Sequence, residues 1–356
     1  MNADYLIVGQ GIAGSILAWT LSQRGYRVLI MNDPTLPSAS KVSGGIFNPL
    51  TGKKLYRTWK ADELFPFAHK FYSDMQAQLG GDFLHNCDVY RPYRSIEEQN
   101  SYLAQTADPN LSKYVVERAD DAKFSPFVEN PYGGLQITQA GWVDCVQMLQ
   151  KIEHYFIENK QYIHDRVDYQ KIEIQGDGVA YNDLKIKKIL FCEGYEARQN
   201  PFFNWLPFNP VKGQSLIAIV EDYTLQEIIN QGTFILPLDG KGKCRLGATY
   251  SWHDLDWEAT EDGRAYLEDK IKPYLKKKYQ ILEQHAGIRP STKDRRPFVG
   301  IHPEYASLGI FNGLGTKGVS LAPFFANQFV NFLETGEEID KEANIERIFS
   351  LYFRSK

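Results

Sequence analysis

The sequence predicts an α/β domain on a doubly wound plan beside a second domain that is mostly antiparallel β. Three observations carry this. A strand, a glycine-rich turn, a helix and a second strand follow one another in the first thirty-odd residues. Short strand-like segments, Ser215–Val220, Phe234–Leu238 and Cys244–Tyr250, are separated by Gly and Asp turns. The chain of 356 residues is also too long for one ordinary core and suits two.

Tyr5-Leu6-Ile7-Val8 is apolar and partly β-branched, which suits a strand buried on both faces. Gly9-Gln10-Gly11-Ile12-Ala13-Gly14 follows directly, then an apolar helical stretch from Ile16 to Leu21 that Gly25 ends. Arg27 to Met31 reads as the next strand. That order is the context in which a GxGxxG turn holds a dinucleotide. Gly9 permits the tight turn, Gly11 lets the backbone approach the pyrophosphate, and Gly14 lets the helix pack closely on the strand. Ile12 and Ala13 open the helix, whose N-terminus offers N–H groups and partial positive charge to phosphates. An acid is expected at the end of the second strand to bind the ribose. Here Asn32 holds that place, with Asp33 next to it. Either Asn32 serves as a neutral partner, or the strand runs one residue longer and Asp33 serves. Asn32-Asp33-Pro34 also has the composition of a plain turn.

Composition narrows the class. Hydrophobic residues at 43% and charged residues at 24% are the balance of a soluble globular protein. The net charge is −4 with no long block of one sign. Lys185–Lys188 and Lys276–Lys278 therefore read as solvated faces, and no nucleic-acid partner is expected. Cys87, Cys145, Cys192 and Cys244 lie far apart without metal-ligand spacing, so reduced thiols and no metal are expected. There is no secretory signal pattern and no apolar run long enough to span a bilayer, which points to a cytoplasmic protein. The seven histidines are scattered, and none is assigned a catalytic role. Oligomeric state has no signal in the sequence.

The fingerprint alone does not separate NAD from FAD. Ser40-Lys41-Val42-Ser43-Gly44-Gly45-Ile46, Gly141-Trp142-Val143-Asp144, Phe191-Cys192-Glu193-Gly194 and Val211-Lys212-Gly213-Gln214 follow in order along the chain. After them come Arg245-Leu246-Gly247-Ala248-Thr249, Ala286-Gly287-Ile288-Arg289-Pro290, Asp294-Arg295-Arg296-Pro297 and Gly313-Leu314-Gly315-Thr316-Lys317-Gly318. In order and spacing these blocks resemble the superfamily of D-amino-acid oxidase, glycine oxidase and sarcosine oxidase, across almost the whole chain. The resemblance implies FAD as cofactor and an α/β plus α+β fold. Its Rossmann-like FAD-binding domain would comprise 1–85, 140–205 and 285–356. The mostly antiparallel β substrate domain would comprise 86–139 and 206–284. It further implies that Ser40, Gly44, Gly45, Val167, Cys192, Glu193 and Gly194 contact the cofactor, together with Gly313, Gly315, Thr316, Lys317 and Gly318.

Gly313–Gly318 precedes a strongly apolar helix from Val319 to Leu333. A glycine-rich turn lets backbone lie against a flat ring, and a helix N-terminus stabilises negative charge by up to ~2 kcal/mol when partly buried. Arg289 matches the family's substrate arginine, whose parallel N–H donors grip a carboxylate bidentately. Tyr250 is a candidate pocket phenol or a core residue. Trp59, Trp252 and Trp257 are likewise pocket walls or core. Arg295 and Arg296 are expected to be structural. Glycine-oxidase-like members carry a further arginine where this chain has Thr316, so the second substrate anchor is open. Lys317 beside it reads equally as a solvated or a phosphate-facing lysine.

The activity implied is oxidation of the C–N bond of an amino acid or secondary amine by hydride transfer to flavin N5. Oxygen or a quinone would then accept the electrons. Two alternatives stand beside it: a tRNA wobble-uridine modifying FAD oxidase, and a flavin-binding protein without turnover.

Overall fold

The computed structural model describes residues 2–116, 119–176 and 178–353. Its first strand, Asn2–Val8, lies inside an eight-stranded sheet. Val28–Met31 pairs with it in parallel on one side and Leu184–Phe191 on the other. Tyr162–Ile163 extends the sheet beyond Val28–Met31, and Leu308–Asn312 pairs in parallel with Leu184–Phe191. Alternate residues of a strand point to opposite faces, and here each face is covered. Ile7, Ile30, Leu190 and Phe311 enter one core, with Ile16, Leu17 and Phe325 from the covering helices. Leu6, Leu29, Ile189 and Ile310 enter a second core on the other face, with Phe203 and Ile345.

The first helix runs Ile12–Gln23, longer at both ends than the apolar stretch Ile16–Leu21 predicts. It packs against Gly318–Thr335, the apolar helix expected near the C-terminus. Between strand and helix the chain reverses within the glycine turn. Gly9 has φ +97°, and a side chain there would meet the Cys192 carbonyl oxygen at 2.7 Å. A Cβ on Gly14 would lie 1.9 Å from the Gly9 carbonyl oxygen. Both glycines are thus required by backbone-to-backbone approach.

The second sheet has seven strands in the order Tyr279–Arg289, Val211–Val220, Lys243–Gly247, Phe234–Pro237, Ile228–Asn230, Val89–Pro92 and Gly134–Ile137. All neighbours are antiparallel except Ile228–Asn230 with Val89–Pro92. The three strand-like segments read from the sequence are all in it, though the third ends at Gly247 and leaves Tyr250 outside. Leu216, Ala218, Ile229, Ile235 and Leu246 form its core under Leu267 and Ile271 of the helix Glu261–Ile271. The four cysteines are free. Among the described residues no helix is long and apolar enough to cross a membrane.

Where Leu184–Phe191 ends, Glu193 turns its carboxylate into a polar pocket. Tyr169 Oη donates to Glu193 Oε1 at 2.5 Å, and Asn200 Nδ2 donates to Oε2 at 2.7 Å. Burial dominates over these bonds and pushes the carboxyl up to about 7. A carboxyl raised on folding favours the native state while it is protonated. That contribution is complete below the ordinary carboxylate range and is lost as pH rises through about 7. Glu193→Gln is therefore expected to gain melting temperature on wild type between pH 5 and 8, and thermal unfolding across that range checks it. A Gly14→Ala chain must push its helix off the turn, and a loss of roughly 1–3 kcal/mol in chemical unfolding is expected.

Candidate active site

The first strand, Leu184–Phe191 and Leu308–Asn312 end at one cavity of about 990 Å³. Its wall includes Gly9, Gly11, Ile12 and Ala13 from the first turn, and Asn32 and Asp33 from the end of the second strand. Ser40, Gly44 and Gly45 line it, as do Val167, Cys192, Glu193 and Gly194. So do Gly313, Gly315, Thr316, Lys317 and Gly318, and also Arg289 and Tyr250. Gly14 alone of the expected residues lies behind the wall, packed on Gly9 and Cys192.

Local bonds explain how the wall is held. The Gln10 N–H donates to Asn32 Oδ1 at 3.0 Å, so Asn32 braces the glycine turn. Asp33 accepts from the Thr35 N–H and hydroxyl, and those bonds keep its carboxyl below the ordinary range. The Ile12 N–H, one of the donors expected to be free at the helix start, donates to Ser40 Oγ at 3.0 Å. The loop 40–45 is thereby tied to the first helix. From the other side, Arg245 Nη1 donates to the Val42 carbonyl at 2.9 Å, and Gly45 O accepts from the Val143 N–H. The first helix, the second sheet and the short strand Gly141–Val143 therefore fix this loop.

Arg289 ends the longest strand of the second sheet, opposite Val211. Its guanidinium lies against Gly213, where a Cβ would meet Nη2 at 2.1 Å. The Tyr250 ring covers it, 4.5 Å from Cζ to the ring centroid. Nη1 donates to the Thr249 carbonyl at 3.2 Å. Among the described residues no carboxylate is within ion-pair distance of this guanidinium, and burial lowers its pKa from the ordinary arginine value. A flat, desolvated cation sandwiched between a glycine and a ring is a receptor for an anion.

Lys317 is the second such cation. Its ammonium donates to Thr58 Oγ1 at 3.1 Å. Burial first, then the charges of Arg296 and Arg295, push it down to about 8. The structural role expected for Arg296 is half the account: it pairs with Glu342 at 3.0 Å and stacks on Trp59 at 4.2 Å, yet it also lines the cavity. Arg295 lines the cavity too. Thr316 is exposed and uncharged. Tyr250 and Trp252, 57% and 53% exposed, are rim residues rather than core. Trp59 and Trp257 are half-buried and also line the cavity. Sequence reasoning missed Thr58, Tyr169 and Asn200, whose side chains bond Lys317 and Glu193 from 259, 24 and 7 positions away. Gly213 stands in one of the family-like blocks, yet no local pattern shows that Arg289 rests on it.

The wall fits a dinucleotide with a flat ring. A side chain at Gly11 would project into the space before the hydroxyls of Ser40 and Ser38, 3.3 and 3.9 Å away. Comparison with known proteins agrees. The sequence model of the DAO family, FAD dependent oxidoreductase, matches residues 4–331. The tRNA 5-methylaminomethyl-2-thiouridine biosynthesis bifunctional protein MnmC of Marinobacter nauticus is 24% identical over 351 residues, covering 90% of this chain and 54% of that protein. MnmC of Hahella chejuensis is 23% identical, over 98% of this chain and 59% of its own length. The chain thus spans about half the length of these curated relatives. Among solved structures, glycine oxidase from Bacillus cereus superposes with a TM-score of 0.78 at 19% identity, over 99% of both chains. L-proline dehydrogenase from P. horikoshii gives 0.76 at 15% identity, over 95% of this chain and 94% of that one. The chain belongs to the DAO family of FAD-dependent oxidoreductases.

Proposed function

We propose that this oxidoreductase oxidises the C–N bond of an amine that carries a carboxylate, with Arg289 as the carboxylate's anchor. The observation that carries this reading is the uncompensated guanidinium of Arg289 in the same cavity as the glycine turns. FAD, when bound, supplies the electron sink, accepting a hydride at N5. The turn Gly9–Gly14 would receive its pyrophosphate, and Asn32 or Asp33 its ribose. The loop 40–45, Val167, the segment Cys192–Gly194 and the turn Gly313–Gly318 would hold the rest. Arg289 fixes the amine by its carboxylate and so orients the carbon that loses hydrogen, while the Tyr250 ring packs on the face of the guanidinium and holds it in place. No protein base is needed if the amine binds neutral. The division into an FAD domain of 1–85, 140–205 and 285–356 and a substrate domain of 86–139 and 206–284 belongs to the same proposal, as does oxygen or a quinone as acceptor.

A second reading places the amine on tRNA. It is favoured by the names of the curated relatives and by the exposed rings of Tyr56, Tyr250 and Trp252 on the cavity rim. Exposed aromatics can stack on unpaired bases. Against it, Asp254, Glu258, Glu261 and Asp262 follow Trp252 closely and would face phosphates with like charge. Tight, salt-sensitive tRNA binding, with bleaching of the flavin by tRNA and not by free amines, decides for this reading.

The main reading is tested by mixing the yellow protein anaerobically with pooled amino acids and N-methyl amino acids. Bleaching of the flavin bands by a pool is expected. Arg289→Ala is expected to keep FAD and to lose kcat/KM by the equivalent of ~2–5 kcal/mol. Wild-type turnover with unchanged KM in that variant removes Arg289 from the role.

A further inference from the structure

The chain leaving Lys243–Gly247 passes over Arg289, and a single residue fastens it at two points. Lys212 stands next to Gly213, the glycine on which Arg289 rests. Its N–H donates to the Ser251 carbonyl at 2.8 Å, and its carbonyl accepts from the Ser251 N–H at 2.9 Å. Its ammonium reaches Asp256, further along the same loop. Just before the first point, Tyr250 covers the Arg289 guanidinium at 4.5 Å. Just after the second, Trp257 meets Tyr195 edge-on, and both rings line the cavity.

The pair is asymmetric. The Lys212 side chain is 3% exposed, and that of Asp256 is 52% exposed. Lys212 stands outside the cavity lining, and among the described residues Asp256 is the acid paired with it. Lifting the loop would leave a buried ammonium without its counter-ion, which costs far more than parting two exposed charges. Asp256 is also set in place from its own side. Its Oδ1 accepts from the Glu258 N–H at 2.9 Å, and the bonded Lys212 ammonium holds its carboxyl below the ordinary range.

We infer that Lys212 and Asp256 form a positioning clasp, which closes the loop 250–256, seats the Tyr250 ring on Arg289 and thereby sets how tightly the substrate carboxylate is gripped. This rests on the reading that Arg289 holds that carboxylate. A ring fixed on one face of the guanidinium keeps water from that face and leaves the edge donors for the anion. Lys212 and Asp256 act through Tyr250 and are not catalytic residues.

The test uses the FAD-loaded enzyme and methoxyacetate, a carboxylate that cannot be oxidised as an amine. It is titrated while the flavin absorption bands are followed. Asp256→Asn removes the charge and keeps the oxygen that accepts from the Glu258 N–H. It is expected to weaken methoxyacetate binding by about tenfold and to leave FAD bound. Asp256→Glu should restore most of the affinity. Lys212→Met should weaken binding to a similar degree, and the double variant no further, since either change opens the same clasp. In a Tyr250→Ala background, Asp256→Asn should have no added effect. An Asp256→Asn variant with a lower melting temperature but unchanged methoxyacetate affinity overturns the clasp. So does an effect that persists in full without the Tyr250 ring, or a loss of FAD, since the pair would then act by another path or serve the cofactor. If methoxyacetate leaves the wild-type flavin unperturbed, or binds Arg289→Ala as tightly as wild type, the Arg289 reading itself fails. Binding that depends on Arg289 but not on Asp256 leaves that reading standing and removes this one.

Discussion

The structure depends on the parallel pairing of Asn2–Val8 with its two neighbours. Parallel strands share a direction, so their carboxyl ends share an edge, and the loops leaving that edge converge. Val8, Phe191 and Asn312 close their strands there, and Gly9, Cys192 and Gly313 begin the three loops. Backbone then approaches backbone more closely than any side chain would permit, at Gly9 against Cys192 and at Gly14 against Gly9. Three segments far apart in sequence thus form one wall for a flat dinucleotide.

The second sheet brings charge to that wall. Arg289 and Arg245 come from its strands; Arg245 reaches the Val42 carbonyl in the loop beside the first helix, and Arg289 lies in the cavity wall between Gly213 and the Tyr250 ring. Arg245 bonds the Val42 carbonyl and the Ser215 hydroxyl, which makes it a tie between the second sheet and the loop that covers the glycine turn. Among the described residues, Arg289 makes one side-chain hydrogen bond, to the Thr249 carbonyl, and keeps its other donors free. Lys212, by contrast, is buried and paired with Asp256. The molecule therefore separates two kinds of buried cation: those that fasten loops and those left open to the cavity. The second kind is costly in the absence of an anion, and that cost is a functional signature rather than a stabilising feature.

Much of this is legible in short stretches of sequence. The glycines at 9, 11 and 14, the strands beside them and the helix after Gly318 are local patterns, set by residues close in the chain. Arg289 and the Gly313–Gly318 turn are legible through resemblance, because their motifs are short and contiguous. Tyr250 is ambiguous at that level, since a tyrosine after a strand is equally suited to core or rim. It becomes a rim residue because its strand stops at Gly247 and the chain turns over Arg289. Glu193 reads as one more residue beside the cofactor. Its raised carboxyl arises from burial against Tyr169 and Asn200, which lie 24 and 7 positions away.

By itself, the sequence determined the dinucleotide turn, the two-sheet plan and the family's blocks, because glycine spacing and apolar periodicity act over a few residues. Only the tertiary structure decided which polar groups compensate one another. Asn32 braces Gln10, Ser40 caps the Ile12 N–H, Thr58 holds Lys317, and Glu342 draws Arg296 outward. Each is a contact between groups brought together by folding. The balance of desolvation and charge at such a contact depends on distance in space, which no local pattern encodes.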